Sequence, residues 1–199
     1  MSPILILMCD TQCTLKIWDV RDTRRETQRI GESEFDAGVT AISPHPALSH
    51  TFAVGSYDEF VRIYDIRKMD RPLAKVTVGG GVWRIKWHPS CWYDEQSGGV
   101  CCGGKLLVAA MHGGCRVIDI PALDDARRSD DEDADDDVEV LSVFTAHESM
   151  AYGADWICSG RSVNDAVASC SFYDRKAFIW DPYNRKGRDL GTDSEPSER

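Results

Sequence analysis

The chain has 199 residues, 42% hydrophobic and 28% charged, with a formal net charge of −10 at pH 7. That balance is globular rather than disordered, and no apolar run reaches the ~18 residues a membrane-spanning helix needs. No basic stripe is present, so nucleic acid is not an expected partner.

The charge is uneven. Residues 124–137, DDARRSDDEDADDD, hold nine acids and two arginines, a net −7 that leaves only −3 for the rest. Self-repulsion and the lack of apolar residues predict a disordered insertion there. The tail 187–199, GRDLGTDSEPSER, reads as disordered too. The eight cysteines include no C-x-x-C pair and no zinc spacing, and several sit in apolar strand-like runs. They read as reduced thiols, which places the protein in the cytoplasm and calls for no metal or cofactor.

In chain order, ILILMCD (4–10) reads as a buried strand rather than a signal peptide, since it lacks a basic flank and a cleavage site. CTLKIWD follows and ends at Asp19. Next come GVTAISPHP, TFAVGS, a turn at Asp58, FVRIYD ending at Asp65, and PLAKVTVGG. A third group holds GVWRIKWHP, an inserted loop over 90–104, LLVAAM, a turn at His112, CRVID ending at Asp119, and, after the acidic run, VEVLSVFTAH. A fourth holds YGADWICSG, AVASCS, a turn at Asp174 and AFIWD ending at Asp181.

The four terminal aspartates are 46, 54 and 62 residues apart, and each follows a turn by seven positions. With the insertions trimmed the period is near forty residues. Short antiparallel strands at that period, closing in W-D or Y-D, predict an all-β, WD40-type β-propeller over residues 1–186. The chain holds about three and a half blades. That predicts an incomplete ring, with the missing blades supplied by a longer chain, by self-association or by another protein.

The order GSYDE (55–59), GGGVWRIKWHP (79–89), AAMHGG (109–114), AYGADW (151–156) and ASCSFYD (168–174) resembles the WD-repeat diphthine methyl ester hydrolase family of eukaryotes, also called diphthine methyltransferases. The resemblance covers about residues 11–181, matching the C-terminal part of that family. It implies hydrolysis of the methyl ester of diphthine, a modified histidine on translation elongation factor 2, as a step of diphthamide biosynthesis.

The residues themselves leave the chemistry open. There is no G-x-S-x-G elbow. Ester hydrolysis needs either a side-chain nucleophile with a base, for which Ser56 and Ser171 lie beside the turns, or a water activated by a base, together with donors for the oxyanion; water attack is the preferred route. In a WD blade the turn between the second and third strands shares one rim with the loop entering the first. His112, Glu59, Asp58 and His147 are the catalytic candidates on that rim; His112 stands out because an imidazole replaces the turn aspartate. Trp83, Arg84, Tyr152, Asp155 and Asp174 are candidate substrate contacts. For each there is a plain structural use: Asp58 and Asp174 can close turns, His147 can bond a turn aspartate, and Arg84 can pair with an acid. A non-catalytic WD scaffold that binds proteins through its rim is the competing function. An esterase should gather imidazole, carboxylate and donors at the channel mouth. A scaffold should show an exposed aromatic or apolar patch.

Overall fold

The computed structural model describes residues 5–10, 13–22, 24–30, 34–89, 92–94, 99–101, 104–123, 138–157 and 166–183. The acidic run 124–137 and the tail 187–199 lie outside them.

The first sheet is β1 (Leu5–Asp10), β2 (Thr14–Asp19) and β3 (Gln28–Ile30). The second is β4 (Val39–Pro44), β5 (Thr51–Ser56), β6 (Phe60–Asp65) and β7 (Ala74–Thr77). β8 (Arg84–Trp87) opens the third. The inserted loop then forms a hairpin of its own, β9 (Trp92–Asp94) and β10 (Gly99–Cys101), before β11 (Leu106–Ala109), β12 (Cys115–Asp119) and β13 (Glu139–Phe144) complete that sheet. The fourth is β14 (Ala151–Ile157), β15 (Ala166–Ser171) and β16 (Ala177–Trp180). All pairings are antiparallel between neighbours in sequence or across the hairpin. The four sheets form an arc of a WD-type β-propeller. Three strands are not legible as such in the sequence: β3, too short to show a period, and β9 and β10, which form a hairpin inside the inserted loop.

Both faces of each middle sheet are covered, which explains their near-continuous apolar strands. In β11, Leu106 and Val108 join Ala53, Val61 and Ile63 of the second sheet. Leu107 and Ala109 join Ala154, Val167 and Trp180 of the fourth. In β5, Phe52 and Val54 turn instead to Leu15 and Ile17 of the first. All four β11 side chains are fully buried; each leucine or valine of this kind stabilises the fold by about 1.5–3 kcal/mol.

Asp19, Asp65 and Asp181, which close three of the W-D-type runs, each cap the next turn. Asp19 Oδ1 accepts the Arg21 N–H at 3.0 Å, Asp65 Oδ1 that of Arg67 at 2.8 Å, and Asp181 Oδ1 that of Tyr183 at 2.8 Å. The carboxylate closes an Asx turn, so the W-D ending is a structural signal rather than a catalytic one. At the opposite end, β4 and β14 each carry a register shift where the inner strand leaves the rim, at Val39/Ala41 and at Ala151/Gly153.

Candidate functional site

The rim is assembled by backbone contacts between successive sheets. Val78 and Val82 donate their N–H groups to Glu59 O and Ser56 O at 2.8 and 3.0 Å, tying the loop before β8 to the Asp58 turn. The same loop lies on the His112 turn, since a Cβ added at Gly80 would stand 2.2 Å from the Ala110 carbonyl oxygen. The Ala151 N–H donates to Met111 O at 3.0 Å, carrying the contact on to β14.

The three turns close in different ways. Asp58 Oδ1 accepts the Phe60 N–H at 3.1 Å and Arg62 Nη1–H at 3.0 Å. Between Asp58 and Phe60, Glu59 takes a left-handed φ of 70°, a conformation that the turn demands; its side chain is exposed. Arg62 is fully buried and also donates from Nε to Glu34 Oε1 at 2.8 Å. Burial alone would raise the Asp58 carboxyl, but the guanidinium and the backbone donors outweigh it and hold it below the ordinary carboxylate range.

Asp174 closes its turn through the Lys176 N–H at 2.8 Å and accepts the Glu148 N–H at 3.0 Å. His147 Nδ1 lies 3.3 Å from Asp174 Oδ2, and its Nε2 lies 2.9 Å from Ser169 Oγ. Trp180 donates its indole N–H to the same Ser169 oxygen at 3.2 Å. One proton assignment satisfies the whole chain: Trp180 to Ser169, Ser169 to His147, His147 to Asp174. Burial pushes the Asp174 carboxyl up, yet the donors of Lys176, Glu148 and His147 bring it below its usual value.

The His112 turn needs no carboxylate. Gly113 donates to Ala110 O at 2.7 Å and Gly114 to Met111 O at 3.1 Å, with Gly114 at φ 77°. The glycines close the turn through backbone alone, and the His112 side chain is left exposed.

Along this rim runs a row of aromatic rings. Tyr57 and Trp83 have centroids 6.3 Å apart, Trp83 and Tyr152 5.2 Å, Tyr152 and Tyr173 6.0 Å, and Tyr173 and Phe172 5.3 Å. Tyr57, Trp83, Phe172 and Tyr173 are exposed. Burial, then the neighbouring Tyr173 and Tyr57, push the Tyr152 phenol above its ordinary value. Arg84 and Asp155 belong elsewhere: with Lys86 they line a cleft of about 400 Å³ against Ala168 and Cys170. There Lys86 Nζ and Asp155 Oδ2 pair at 2.9 Å.

Of the residues singled out from sequence, the structure therefore brings Trp83 and Tyr152 together on the aromatic row. His112 and Glu59 stand exposed on neighbouring turns. Asp58, His147 and Asp174 have their polar atoms engaged by the fold. Sequence reasoning missed Tyr57, Phe172, Tyr173 and the buried Arg62. The signal for the tyrosines was present, since both precede a turn aspartate directly, in SYD (56–58) and FYD (172–174). Among the described residues no group of three or more His, Cys, Asp or Glu could hold a metal ion.

No family model matches the chain. Comparison with curated proteins is more informative. The chain is 33% identical over 184 residues to the diphthine methyltransferase homolog of Dictyostelium discoideum, covering 85% of this chain and 44% of that protein. It is 35% identical over 152 residues to the diphthine methyltransferase of Mus musculus, covering 72% of this chain and 26% of the relative. The chain belongs to the diphthine methyltransferase family. It spans less than half the length of each of these relatives. A shorter similarity, 38% identity over 60 residues, links 27% of the chain to 9% of the 78 kDa dynein intermediate chain of Chlamydomonas reinhardtii. Within the diphthine methyltransferase family, then, the rim described here belongs to the part of the protein that this chain covers.

Proposed function

We propose that the chain acts in diphthamide biosynthesis, in the cytoplasm, by hydrolysing the methyl ester of diphthine on translation elongation factor 2. The observation that carries this reading is its similarity to proteins named diphthine methyltransferase, 29–37% identical in five organisms. The chemistry needs few parts. A water oxygen attacks the ester carbonyl carbon while a base takes its proton. The tetrahedral intermediate then collapses, the methoxy oxygen recovers a proton, and methanol leaves a free carboxylate. His112 is the exposed imidazole of the rim and takes the role of base; Glu59, exposed on the adjacent turn, is the second candidate. Trp83 and Tyr152 offer a wall for the substrate, and Arg84, in the separate cleft with Lys86 and Asp155, offers a cation to anionic groups that lie beyond that wall. Asp58, His147 and Asp174 support this arrangement by fixing the turns.

The exposed aromatic row favours a second reading, a WD scaffold that binds a protein without catalysis. One experiment separates them: methanol release from elongation factor 2 carrying methylated diphthine, beside direct binding of the same factor. Hydrolysis predicts methanol release and its loss by about 10²-fold or more in His112→Ala. Binding with no methanol from the wild-type protein would leave the scaffold.

A further inference from the structure

We propose that the outer edge of β13 takes up an extended, cation-rich segment of another protein as an added strand. The inference goes beyond ester hydrolysis and uses no residue assigned to that reaction.

Three observations carry it. The first is an edge without a guard. β13 ends the third sheet, pairs with β12, and on its other side is paired to no described strand. An open edge is a template for strand addition, and proteins blunt it with a short strand, a proline or a cation. The other outer strands follow that rule. β3 is three residues long and carries the exposed Arg29. β7 is four residues long and carries the exposed Lys75. β16 is four residues long and follows the exposed Arg175 and Lys176. β13 runs for six residues, EVLSVF, with no lysine, arginine or proline.

The second is where the valines of β13 stand. The register slips between Val117 and Ile118, so that Val140 stands opposite Ile118 and Val143 opposite Arg116, with Leu141 left over between them. Opposed residues share a face, and on this face Ile118 packs into the core shared with the second sheet. Val140 and Val143 remain 41% and 53% exposed there. On the other face Phe144 stacks on Trp180 at 4.7 Å, which fills the gap to the fourth sheet. The slip thus brings both valines to the one side that is left open. An added strand can lay its own apolar side chains beside them.

The third is charge. The sequence leading into β13, residues 124–137, carries a net −7, and the strand opens on the exposed Glu139. Two copies of this chain would each bring that charge to a shared edge, so the field opposes self-pairing. A segment rich in lysine or arginine is attracted by the same field and meets the edge more often. Main-chain hydrogen bonds then supply the affinity, and the alternate side chains against Val140 and Val143 the selectivity.

The test titrates the full chain with a synthetic peptide, KVRVTVK, blocked at both ends, beside two controls. EVEVTVE reverses the charge. KVRPTVK keeps the charge but loses a main-chain donor and the extended register. KVRVTVK should bind saturably and slow amide exchange over 139–144 by about tenfold, with the other outer strands unchanged. Each control should bind about tenfold more weakly. Val143→Lys gives β13 the guard that the other edges have, and should weaken KVRVTVK by about tenfold with an unchanged far-ultraviolet spectrum. If that variant does not fold, Asp135→Asn, Asp136→Asn and Asp137→Asn together carry the test and should weaken binding by about threefold. Equal affinity for KVRVTVK and KVRPTVK would overturn the proposal in favour of loose charge attraction. No binding, or protection that falls outside β13, would overturn it outright. A chain that is dimeric without peptide, with β13 already protected, would give the edge to a second copy and overturn it as well.

Discussion

Trp156 donates its indole N–H to the backbone carbonyl of Lys86 at 3.2 Å, reaching from the fourth sheet into the third. Its ring also stands edge-on to His88, centroids 4.5 Å apart. One blade earlier the device repeats. Trp87 donates to Ser43 O at 3.1 Å and stands edge-on to His45 at 4.5 Å. The two HP pairs of the sequence thus mark the ends of inner strands where the tryptophan of the next blade locks on. His45 accepts the N–H groups of Ala47 and Leu48 at Nδ1, which fixes its ring for the contact.

This clamp predicts a graded loss of stability. Trp87→Phe keeps most of the apolar area but strands the Ser43 carbonyl, and should cost about 1–3 kcal/mol. Trp87→Ala removes the ring as well and should cost about 3–5 kcal/mol. Urea denaturation midpoints measure both. A Trp87→Phe protein with wild-type stability would show that the hydrogen bond contributes nothing, and equal losses for the two variants would show the same of the ring.

The acid limb of stability should report the turn aspartates. Asp58 and Asp174 both have folded-state pKa values below the ordinary carboxylate value of 3.8. A group depressed on folding stabilises the protein above its unfolded pKa, and that contribution fades as pH falls through the folded value. The urea midpoint should therefore hold down to about pH 5 and drop below about pH 4. Asp58→Asn and Asp174→Asn should each start less stable and fall less steeply over that window. Acid limbs parallel to wild type in both variants would exclude these two carboxyls as the cause.

Arg62 makes a sharper case. It is fully buried, donates to Glu34 and Asp58, and lies over the Phe35 ring at 4.7 Å. Arg62→Leu leaves the Asp58 carboxylate, itself 2% exposed, without its counter-charge, and should destabilise by about 3–5 kcal/mol. Adding Asp58→Asn removes the stranded charge. The double variant should be more stable than the sum of the single losses predicts. Strict additivity in this double-mutant cycle would mean that the pair is not coupled.

The comparison of sequence with structure separates two kinds of information. The terminal aspartates, the apolar strands and the turn aspartates are each decided within a few residues, so the propeller and the position of its rim could be read directly. The partners of the rim side chains could not. Ser169, His147 and Trp180 lie up to 33 residues apart in sequence and meet only because β15, β16 and the loop before β14 bring them together. The second sheet solves the same problem with Arg62 and Glu34, and the third with Gly113 and Gly114. A fixed motif does not reveal which solution a given blade has adopted. The aromatic row is hidden for a related reason. Its five rings come from three different sheets and the turns and loops beside them, and most look in sequence like ordinary turn or strand residues.

The glycines before β8 decide whether that rim holds together. Gly79 has a φ of 69°, which a side chain tolerates poorly. Gly80 is the tighter constraint. A Cβ there would lie 2.2 Å from the Ala110 carbonyl oxygen and 2.6 Å from the Gly113 nitrogen, both backbone atoms that cannot swing away. On the other side, a Cβ at Gly113 would lie 2.8 Å from Val78 O. The two loops meet backbone against backbone, and that contact sets where His112 stands relative to Trp83. Gly80→Ala must therefore push the loops apart, at a cost of about 3 kcal/mol, the upper end for overpacking. It should also disturb the Trp83–Tyr152 pair, visible as a changed near-ultraviolet circular dichroism signal, while the far-ultraviolet signal of the strands persists. Thermal unfolding and the two spectra are the measurements. A Gly80→Ala protein with wild-type stability and an unchanged aromatic signal would mean that the loops are not interlocked, and the relative placement of His112 and Trp83 would fall with that contact.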